Sequence, residues 1–119
     1  MGHHLSRYRD ALDFLFARTT GGSKFGLERT EAFLASLGNP HLRLNCFHVA
    51  GTNGKGSVCA TLEALLRVGG RRVARYTSPH LVDFRERFLV NGQPVDEDWV
   101  VDFIGRWTPE VERIGATFF

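Results

Sequence analysis

The stretch CFHVAGTNGKGS, residues 46–57, decides the fold of this 119-residue chain. Residues 45–50 are mostly apolar and β-prone, and a glycine follows them directly, as expected for a buried strand that enters a turn. The three glycines within residues 51–57 predict a tight turn at the end of that strand. We therefore predict the first strand of a parallel sheet at 45–50, with a glycine-rich turn after it.

A helix and a second strand are predicted directly after this turn. Apolar residues lie on one helix face along residues 56–68 and two glycines then stop the helix, the residues being Val58, Leu62, Leu65, Leu66, Gly69 and Gly70. Residues 72–77 predict the second strand. Because such crossovers are right-handed and join parallel strands, residues 45–77 predict a phosphate-loop strand–helix–strand unit of a mostly parallel sheet.

Helices are predicted on both sides of this unit. Apolar side chains recur at helical spacing over about residues 6–18 and again over residues 27–37, where Gly38-Asn39-Pro40 ends the second helix. Asp96 caps a last helix, whose first turn carries two acidic residues that favour the positive end of the helix dipole. These flanking helices and the sheet together predict an α/β fold.

A small β-hairpin is predicted between the second strand and the last helix. Asn91-Gly92 favours a tight primed turn after the extended residues 87–90, and Pro94 confines the returning strand to a sheet edge. By its length the whole chain, residues 1–119, fits one domain.

Composition and charge exclude several classes of function. The formal net charge is only +2 and the arginines are interspersed with acidic residues, so no basic surface for nucleic acid is expected. No apolar run approaches the roughly 20 residues that span a bilayer, and the first residues are too polar for a secretory signal. Cys46 and Cys59 form no metal-ligand spacing, and we interpret them as buried reduced thiols. We expect a cytoplasmic protein with no nucleic-acid or membrane partner.

The glycine-rich turn is the candidate for chemistry. A turn that opens a helix directs backbone N–H groups and the positive end of the helix dipole at one spot, which suits phosphate. The general phosphate-loop pattern is GxxxxGK[ST]; here Ala50 stands at its first position, and Gly56 after Lys55 displaces the hydroxyl to Ser57. We predict an ATP site in which Lys55 contacts the β- and γ-phosphates as a point charge. Its residues are Gly51, Thr52, Asn53, Gly54, Lys55, Gly56 and Ser57.

A second candidate segment follows the second predicted strand. Ser78-Pro79-His80 lies there, and parallel strands end at the same sheet edge, so Ser78 is expected within reach of the phosphates. A serine hydroxyl is a usable oxygen ligand for Mg²⁺. Pro79 and His80 are expected to support this loop, and a Ser-Pro turn with a solvated His80 is the alternative.

The motifs resemble the folylpolyglutamate synthase and dihydrofolate synthase family of the Mur ligase superfamily. The likeness runs from Tyr8 to Phe119 without a gap, and both departures from the general phosphate-loop pattern belong to this family's own version. The segments that carry it are His48-Val49-Ala50-Gly51-Thr52-Asn53-Gly54-Lys55-Gly56-Ser57, Phe25-Gly26-Leu27-Glu28-Arg29, Tyr76-Thr77-Ser78-Pro79-His80-Leu81, Glu86-Arg87 and Asn91-Gly92.

The resemblance implies an ATP-dependent ligase. In that family ATP phosphorylates a carboxylate of dihydropteroate or a folate, and L-glutamate then attacks the acyl phosphate to form an amide. It implies that residues 52–55 hold the triphosphate, with Lys55 as the catalytic residue, and that Ser78 is a Mg²⁺ ligand with Ser57 as a second contact. It also implies that a loop formed by Gly22, Ser23, Lys24 and Phe25 borders the pterin site, where Phe25 would stack on the flat ring.

The resemblance further predicts that this chain is an incomplete Mur-ligase-type ATPase domain. Family members are much longer, so the remaining Mg²⁺ ligands and the glutamate-binding second domain are expected beyond Phe119. We expect the full-length protein to be a monomer and the 119 residues alone to be inactive.

Several alternatives stay open from the sequence. Another Mur-type amide ligase would share the ATP chemistry, although its loop usually continues with threonines after the lysine. An unrelated kinase or GTPase would place a hydroxyl directly after Lys55, where this chain has Gly56. A non-catalytic nucleotide-binding remnant is the option from another class. The choice between dihydropteroate and folate as acceptor is not specified by these residues.

Overall fold

The computed structural model describes residues 2–18 and 27–117, with side chains from residue 7 onward. Along the chain lie α1 (Gly2–Ala17), α2 (Glu28–Ser36), a 3₁₀ helix (Pro40–Arg43), α3 (Lys55–Val68), β1 (Ala74–Tyr76), a second 3₁₀ helix (Phe84–Arg87), β2 (Phe88–Val90), β3 (Gln93–Pro94) and α4 (Glu97–Ile114). The chain divides into two compact units: Met1–Asn45 with Asp98–Phe119, and Cys46–Glu97. None of the helices in the described ranges combines the length and apolar character needed to cross a bilayer.

The first unit is helical. Ala11 of α1 and Val100 of α4 are buried, and the ring of Phe33 in α2 meets Trp107 of α4 edge to face, with 6.4 Å between centroids. The hydroxyl of Ser36 donates a hydrogen bond to the Glu110 carboxylate at 3.0 Å. The predicted helices at both ends of the chain are thus confirmed.

The end of α2 shows the predicted stop. Gly38 and Asn39 both adopt positive φ, at 85° and 55°, and Pro40 begins the 3₁₀ helix that follows. The N–H of Gly38 donates to the carbonyl of Ala35, and the N–H of Asn39 to that of Leu34. These bonds satisfy carbonyls at the helix end that have no further helical partner.

The second unit contains α3 and a three-stranded sheet of order β1-β2-β3, in which both pairings are antiparallel. Asn91 and Gly92 form the turn between β2 and β3 with φ values of 49° and 79°, as a primed hairpin turn requires. Pro94 lies on the edge strand. The predicted hairpin is therefore confirmed, and so is the predicted helix after the glycine-rich turn.

The predicted strand at 45–50 is wrong. Within the described residues this segment belongs to no strand, and only Val49 is even half-buried. Phe47 is 68% exposed, and Cys46 is exposed rather than a buried thiol. Because β-structure needs a neighbouring strand to pair the backbone groups, apolar β-prone residues alone do not make a strand.

The predicted parallel strand–helix–strand unit over 45–77 is wrong for the described residues as well. β1 does form within the predicted second strand, but its partner is β2, which runs antiparallel to it. A hairpin neighbour close in sequence supplies the ladder that the prediction assigned to residues 45–50. The chain is α/β in the broad sense of helices combined with a small sheet.

Candidate nucleotide-binding site

The glycine-rich turn opens α3. Gly54 stands at the helix N-cap with φ of +79°, a left-handed conformation that costs a residue with a Cβ about 1–2 kcal/mol. The N–H of Val58 donates to the carbonyl of Gly54 at 3.0 Å as the helix begins. The N–H groups just before Val58, at residues 55–57, are those that an α-helix leaves without an internal acceptor. The sequence thus produces a helix start with donors that can receive an anion.

These donors are open to a ligand. Every residue of 51–58 is exposed, and no side chain in the described part of the chain caps the start of α3. Lys55 is the first residue of the helix, so its ammonium group and the helix dipole add positive charge at the same end. Ser57 lies in the same first turn, and its carbonyl accepts the Thr61 hydroxyl at 2.8 Å. This end of α3 has the charge and donors of a phosphate site.

The Ser78-Pro79-His80 segment follows β1 and belongs to a well-connected loop. The Glu86 carboxylate accepts three backbone N–H groups, from Leu81 at 3.0 Å, Val82 at 3.0 Å and Asp83 at 2.7 Å. These bonds, with the one from Asp83 having the largest effect, lower the pKa of the Glu86 carboxyl below its ordinary value of 4.5.

Asp83 and Glu86 together form a capping box on the second 3₁₀ helix. The Asp83 carboxylate accepts the N–H of Arg85 at 2.9 Å, while Glu86 reaches back to the N–H of Asp83. The spacing of an acidic cap residue and a glutamate three residues later is a sequence signal for this motif. The sequence predictions used Glu86 only as part of a family likeness and missed its structural role.

His80 lies within this loop, beside Arg87. The Arg87 Nε donates to His80 Nδ1 at 2.8 Å, and the imidazole meets the Phe84 ring edge to face at 5.8 Å. Because Nδ1 accepts a hydrogen bond, the ring proton of a neutral His80 is on Nε2. These contacts hold the imidazole within the loop, and the supporting role of His80 stays a prediction. Pro79, the other predicted supporting residue, follows a cis peptide bond from Ser78.

One ion pair connects α3, the helix that follows the glycine-rich turn, with β1, the strand that precedes Ser78. The Arg75 Nε in β1 lies 2.8 Å from Oε2 of Glu63 in α3, although its N–H is not aligned for a hydrogen bond. Glu63 is buried and its other oxygen lies 4.0 Å from Nη1 of Arg67. No sequence motif marks a pair like this, and the sequence predictions missed it.

The predicted site residues therefore stand on separate elements. Lys55 and Ser57 lie in the first turn of α3, whereas Ser78 lies two residues after the end of β1. Gly22, Ser23, Lys24 and Phe25, the predicted pterin loop, lie outside the described residues. Their predicted roles stay predictions, as do those of residues 51–57 and Ser78.

The predicted metal ligands are the hydroxyl groups of two serines. Within the described residues no group of three or more His, Cys, Asp or Glu side chains could hold a metal ion. Ser57 and Ser78 are both exposed and offer hydroxyl oxygens. Mg²⁺ prefers oxygen and commonly binds through substrate phosphates and waters with few protein ligands, so this sparse set fits Mg²⁺ bound with a nucleotide.

A glycine-rich turn that opens a helix, like the one before α3, is able to bind a phosphate group. No protein-family model matches the chain. It is 40% identical over 111 residues to a dihydrofolate synthase/folylpolyglutamate synthase of Bacillus subtilis, covering 92% of this chain and 26% of that protein. The chain therefore belongs to the folylpolyglutamate and dihydrofolate synthase family.

Solved structures of the same family share the fold. The folylpolyglutamate synthase of Thermotoga maritima superposes with a TM-score of 0.87 at 38% identity, over 98% of this chain and 28% of that one. A bifunctional folylpolyglutamate synthase/dihydrofolate synthase of Yersinia pestis, complexed with AMPPNP and a Mn ion, gives a TM-score of 0.81 at 34% identity over 94% of this chain and 27% of that one. The chain thus spans about a quarter of the length of each of these three proteins.

Proposed function

We propose that this chain is the triphosphate-binding part of an ATP-dependent ligase. The ligase adds L-glutamate to dihydropteroate or a reduced folate through an acyl phosphate. The observation that carries the proposal is the glycine-rich turn at the start of α3, in a chain 40% identical over 111 residues to a dihydrofolate synthase/folylpolyglutamate synthase. In this proposal the chain belongs to an ATPase domain of the Mur ligase type, which acts in the cytoplasm as a monomer.

The triphosphate is assigned to the start of α3. The N–H groups of residues 55–57 and the Lys55 ammonium group provide preorganised positive charge for a phosphoryl group that leaves ADP. Thr52, Asn53 and Gly54 form the turn against which the phosphates lie. Such charge stabilises a transition state without reorganisation, because the backbone donors are fixed by the helix.

Mg²⁺ is assigned to the hydroxyls of Ser78 and Ser57, together with phosphate oxygens and water. When bound, it neutralises the charge that develops on the transferred phosphoryl group. Ser78 is held by a loop whose backbone is fixed by Glu86, and His80 in the same loop is held by Arg87. Pro79 and His80 support the loop and take no part in proton transfer.

The acceptor is assigned to the segment of Gly22, Ser23, Lys24 and Phe25, with Phe25 stacked against a pterin ring. The proposal leaves open whether dihydropteroate, a reduced folate or both are accepted. Because the chain covers 26% of the length of the Bacillus subtilis relative, we propose that the 119 residues alone do not complete the reaction.

The test is ADP release by a protein that contains this chain within a full-length ligase. ATP consumption should require both L-glutamate and a pteroate or folate acceptor, and it should disappear in Lys55→Met. ATP consumption that continues at the same rate without either acceptor or L-glutamate would refute the proposal. Glutamate-dependent ADP release by the isolated 119 residues would refute the inactivity of the fragment only.

A further inference from the structure

The segment between β1 and β2 forms a closed loop. At its base the N–H of Thr77 donates to the carbonyl of Arg87 at 3.1 Å, and the Thr77 hydroxyl contacts the Glu86 carbonyl at 3.5 Å. Ser78 is the first residue inside this closure. The position of its hydroxyl thus depends on what holds the backbone of the loop.

Hydrophobic burial does not hold residues 81 and 82. The side chains of Leu81 and Val82 are 90% and 91% exposed, so they gain almost nothing from apolar packing. Their backbone is instead held by the Glu86 carboxylate, which accepts the consecutive N–H groups of Leu81, Val82 and Asp83 at 2.7–3.0 Å. Hydrogen bonds to an ionised acceptor are roughly twice as strong as neutral ones. The Glu86 carboxylate therefore fixes the backbone conformation of residues 81–83.

Contacts of Arg87 hold a second part of the same loop. Arg87 follows Glu86 directly, and its Nε donates to His80 Nδ1 at 2.8 Å. The Arg87 guanidinium also lies over the buried Phe84 ring, 5.7 Å from its centroid. Glu86 and Arg87 together fix the backbone of residues 81–83 and the side chain of His80, and His80 directly follows the Ser78-Pro79 peptide.

We propose that Glu86 is a positioning residue for the nucleotide-bound metal: its carboxylate holds the loop so that the Ser78 hydroxyl meets Mg²⁺ on the triphosphate. The inference rests on the proposed function, in which Ser78 is a metal ligand. Mg²⁺ demands near-ideal octahedral geometry with ligands at about 2.0–2.1 Å. A ligand on a loop without a fixed conformation therefore contributes little to Mg²⁺ binding. Partners that orient metal ligands commonly change metal affinity about 10- to 100-fold when removed.

The experiment compares ATP binding to the 119-residue chain by titration calorimetry with Mg²⁺ and with EDTA in its place. Glu86→Gln should reduce the Mg²⁺-dependent gain in ATP affinity by about tenfold or more, and leave the metal-free affinity within about twofold. Hydrogen exchange at the amides of residues 81–83 should be faster in the variant, which reports the loop without any ligand. Ser78→Ala should remove the same metal-dependent gain without a change in that exchange.

Glu110→Gln is the matched control, because Glu110 is another carboxylate that side-chain hydrogen bonds hold with a lowered pKa. It should leave the Mg²⁺-dependent gain unchanged. If Glu86→Gln does not fold, Glu86→Asp keeps the charge but retracts the carboxylate, and it should show the same selective loss.

Three results would overturn the inference. An unchanged Mg²⁺-dependent gain in Glu86→Gln would show that the loop is not required for the metal. An equal fall of both affinities would show a general loss of structure instead of positioning. Failure of the unsubstituted chain to bind ATP under either condition would remove the triphosphate site on which the inference rests, and that failure is recognised because it needs no variant.

Discussion

The Arg75 Nε in β1 lies 2.8 Å from Oε2 of Glu63 in α3, and this pair joins the helix of the phosphate turn to the strand before Ser78. The Glu63 side chain is only 8% exposed, whereas that of Arg75 is 24% exposed. Removal of Arg75 should therefore destabilise the chain more than removal of Glu63. The charge that remains is buried in the first case and partly hydrated in the second.

Arg75→Met should lower the free energy of unfolding by about 3 kcal/mol, since it leaves a buried carboxylate whose other cationic neighbour among the described residues, Arg67, is more distant. Glu63→Gln should cost less, about 1 kcal/mol, because the remaining guanidinium reaches water. Urea unfolding measures both values, with Arg71→Met at an exposed position as the control for loss of one positive charge. Equal costs for the two variants would contradict this account.

Gly92→Ala should destabilise the hairpin. Its φ of +79° disfavours any residue with a Cβ, and an added Cβ would lie 2.6 Å from Nη1 of Arg67. Gly70 is a matched control, because it has φ of +82° with nothing within 4 Å of an added Cβ. Both substitutions should cost about 1–2 kcal/mol in backbone strain, and Gly92→Ala should cost roughly 0.5 kcal/mol more, in line with the displaced Arg67 contact.

The extra cost at Gly92 should vanish when the side chain of Arg67 is removed. Thermal or urea unfolding of Gly92→Ala in an Arg67→Ala background checks this, since the effects of substitutions at residues in contact are not additive. If the excess at Gly92 persists without the Arg67 side chain, Arg67 is not its cause, and Glu63 Oε1, at 3.3 Å from an added Cβ, is the neighbour that remains.

Glu110 should make the helical unit sensitive to acid. Hydrogen bonds from Arg113, at 3.0 and 2.7 Å, and from Ser36 lower the pKa of the Glu110 carboxyl below 4.5. The unfolded chain then binds a proton at higher pH than the folded one, so the stabilisation is full above the unfolded value and is lost as the pH falls through the folded pKa. Unfolding free energies measured between pH 3 and about pH 6 should fall less steeply in Glu110→Gln than in the unsubstituted chain.

Glu112→Gln is the control for that experiment, because Glu112 is an exposed carboxylate in the same helix. It removes one carboxylate from α4 and leaves the hydrogen bonds of Glu110 with Arg113 and Ser36 in place. Identical slopes for Glu110→Gln and the unsubstituted chain would show that the Arg113 and Ser36 contacts do not hold the carboxylate in solution.

Local signals in the sequence predicted the helices and the hairpin well. The apolar spacing and the glycine stops specify α2 and α3, and Asn91-Gly92 specifies the hairpin turn, because each depends on residues close in sequence. The glycine-rich turn was also placed correctly, at the start of α3.

Features that depend on distant partners were not predictable in the same way. Residues 45–50 have the composition of a strand, but composition alone does not determine which strand would pair with them. In the described sheet β1 pairs with β2 instead. The Glu63–Arg75 pair and the three N–H groups on Glu86 depend on how elements meet in three dimensions. Of these features of the described residues, the Asp83–Glu86 capping box has a local sequence signal, the spacing of an acidic residue and a glutamate three residues later.

Titration of the 119-residue chain with Mg²⁺ and ATP tests directly our claim that the turn before α3 binds a nucleoside triphosphate. We predict saturable binding at one site, and a roughly 10- to 150-fold weaker affinity in Lys55→Met, as expected for a lost charge-assisted contact of about 1.5–3 kcal/mol. Arg43→Met, which removes one exposed positive charge from the first 3₁₀ helix, should retain the affinity. Equal affinities in Lys55→Met and the unsubstituted chain, or no binding in either, would contradict the claim.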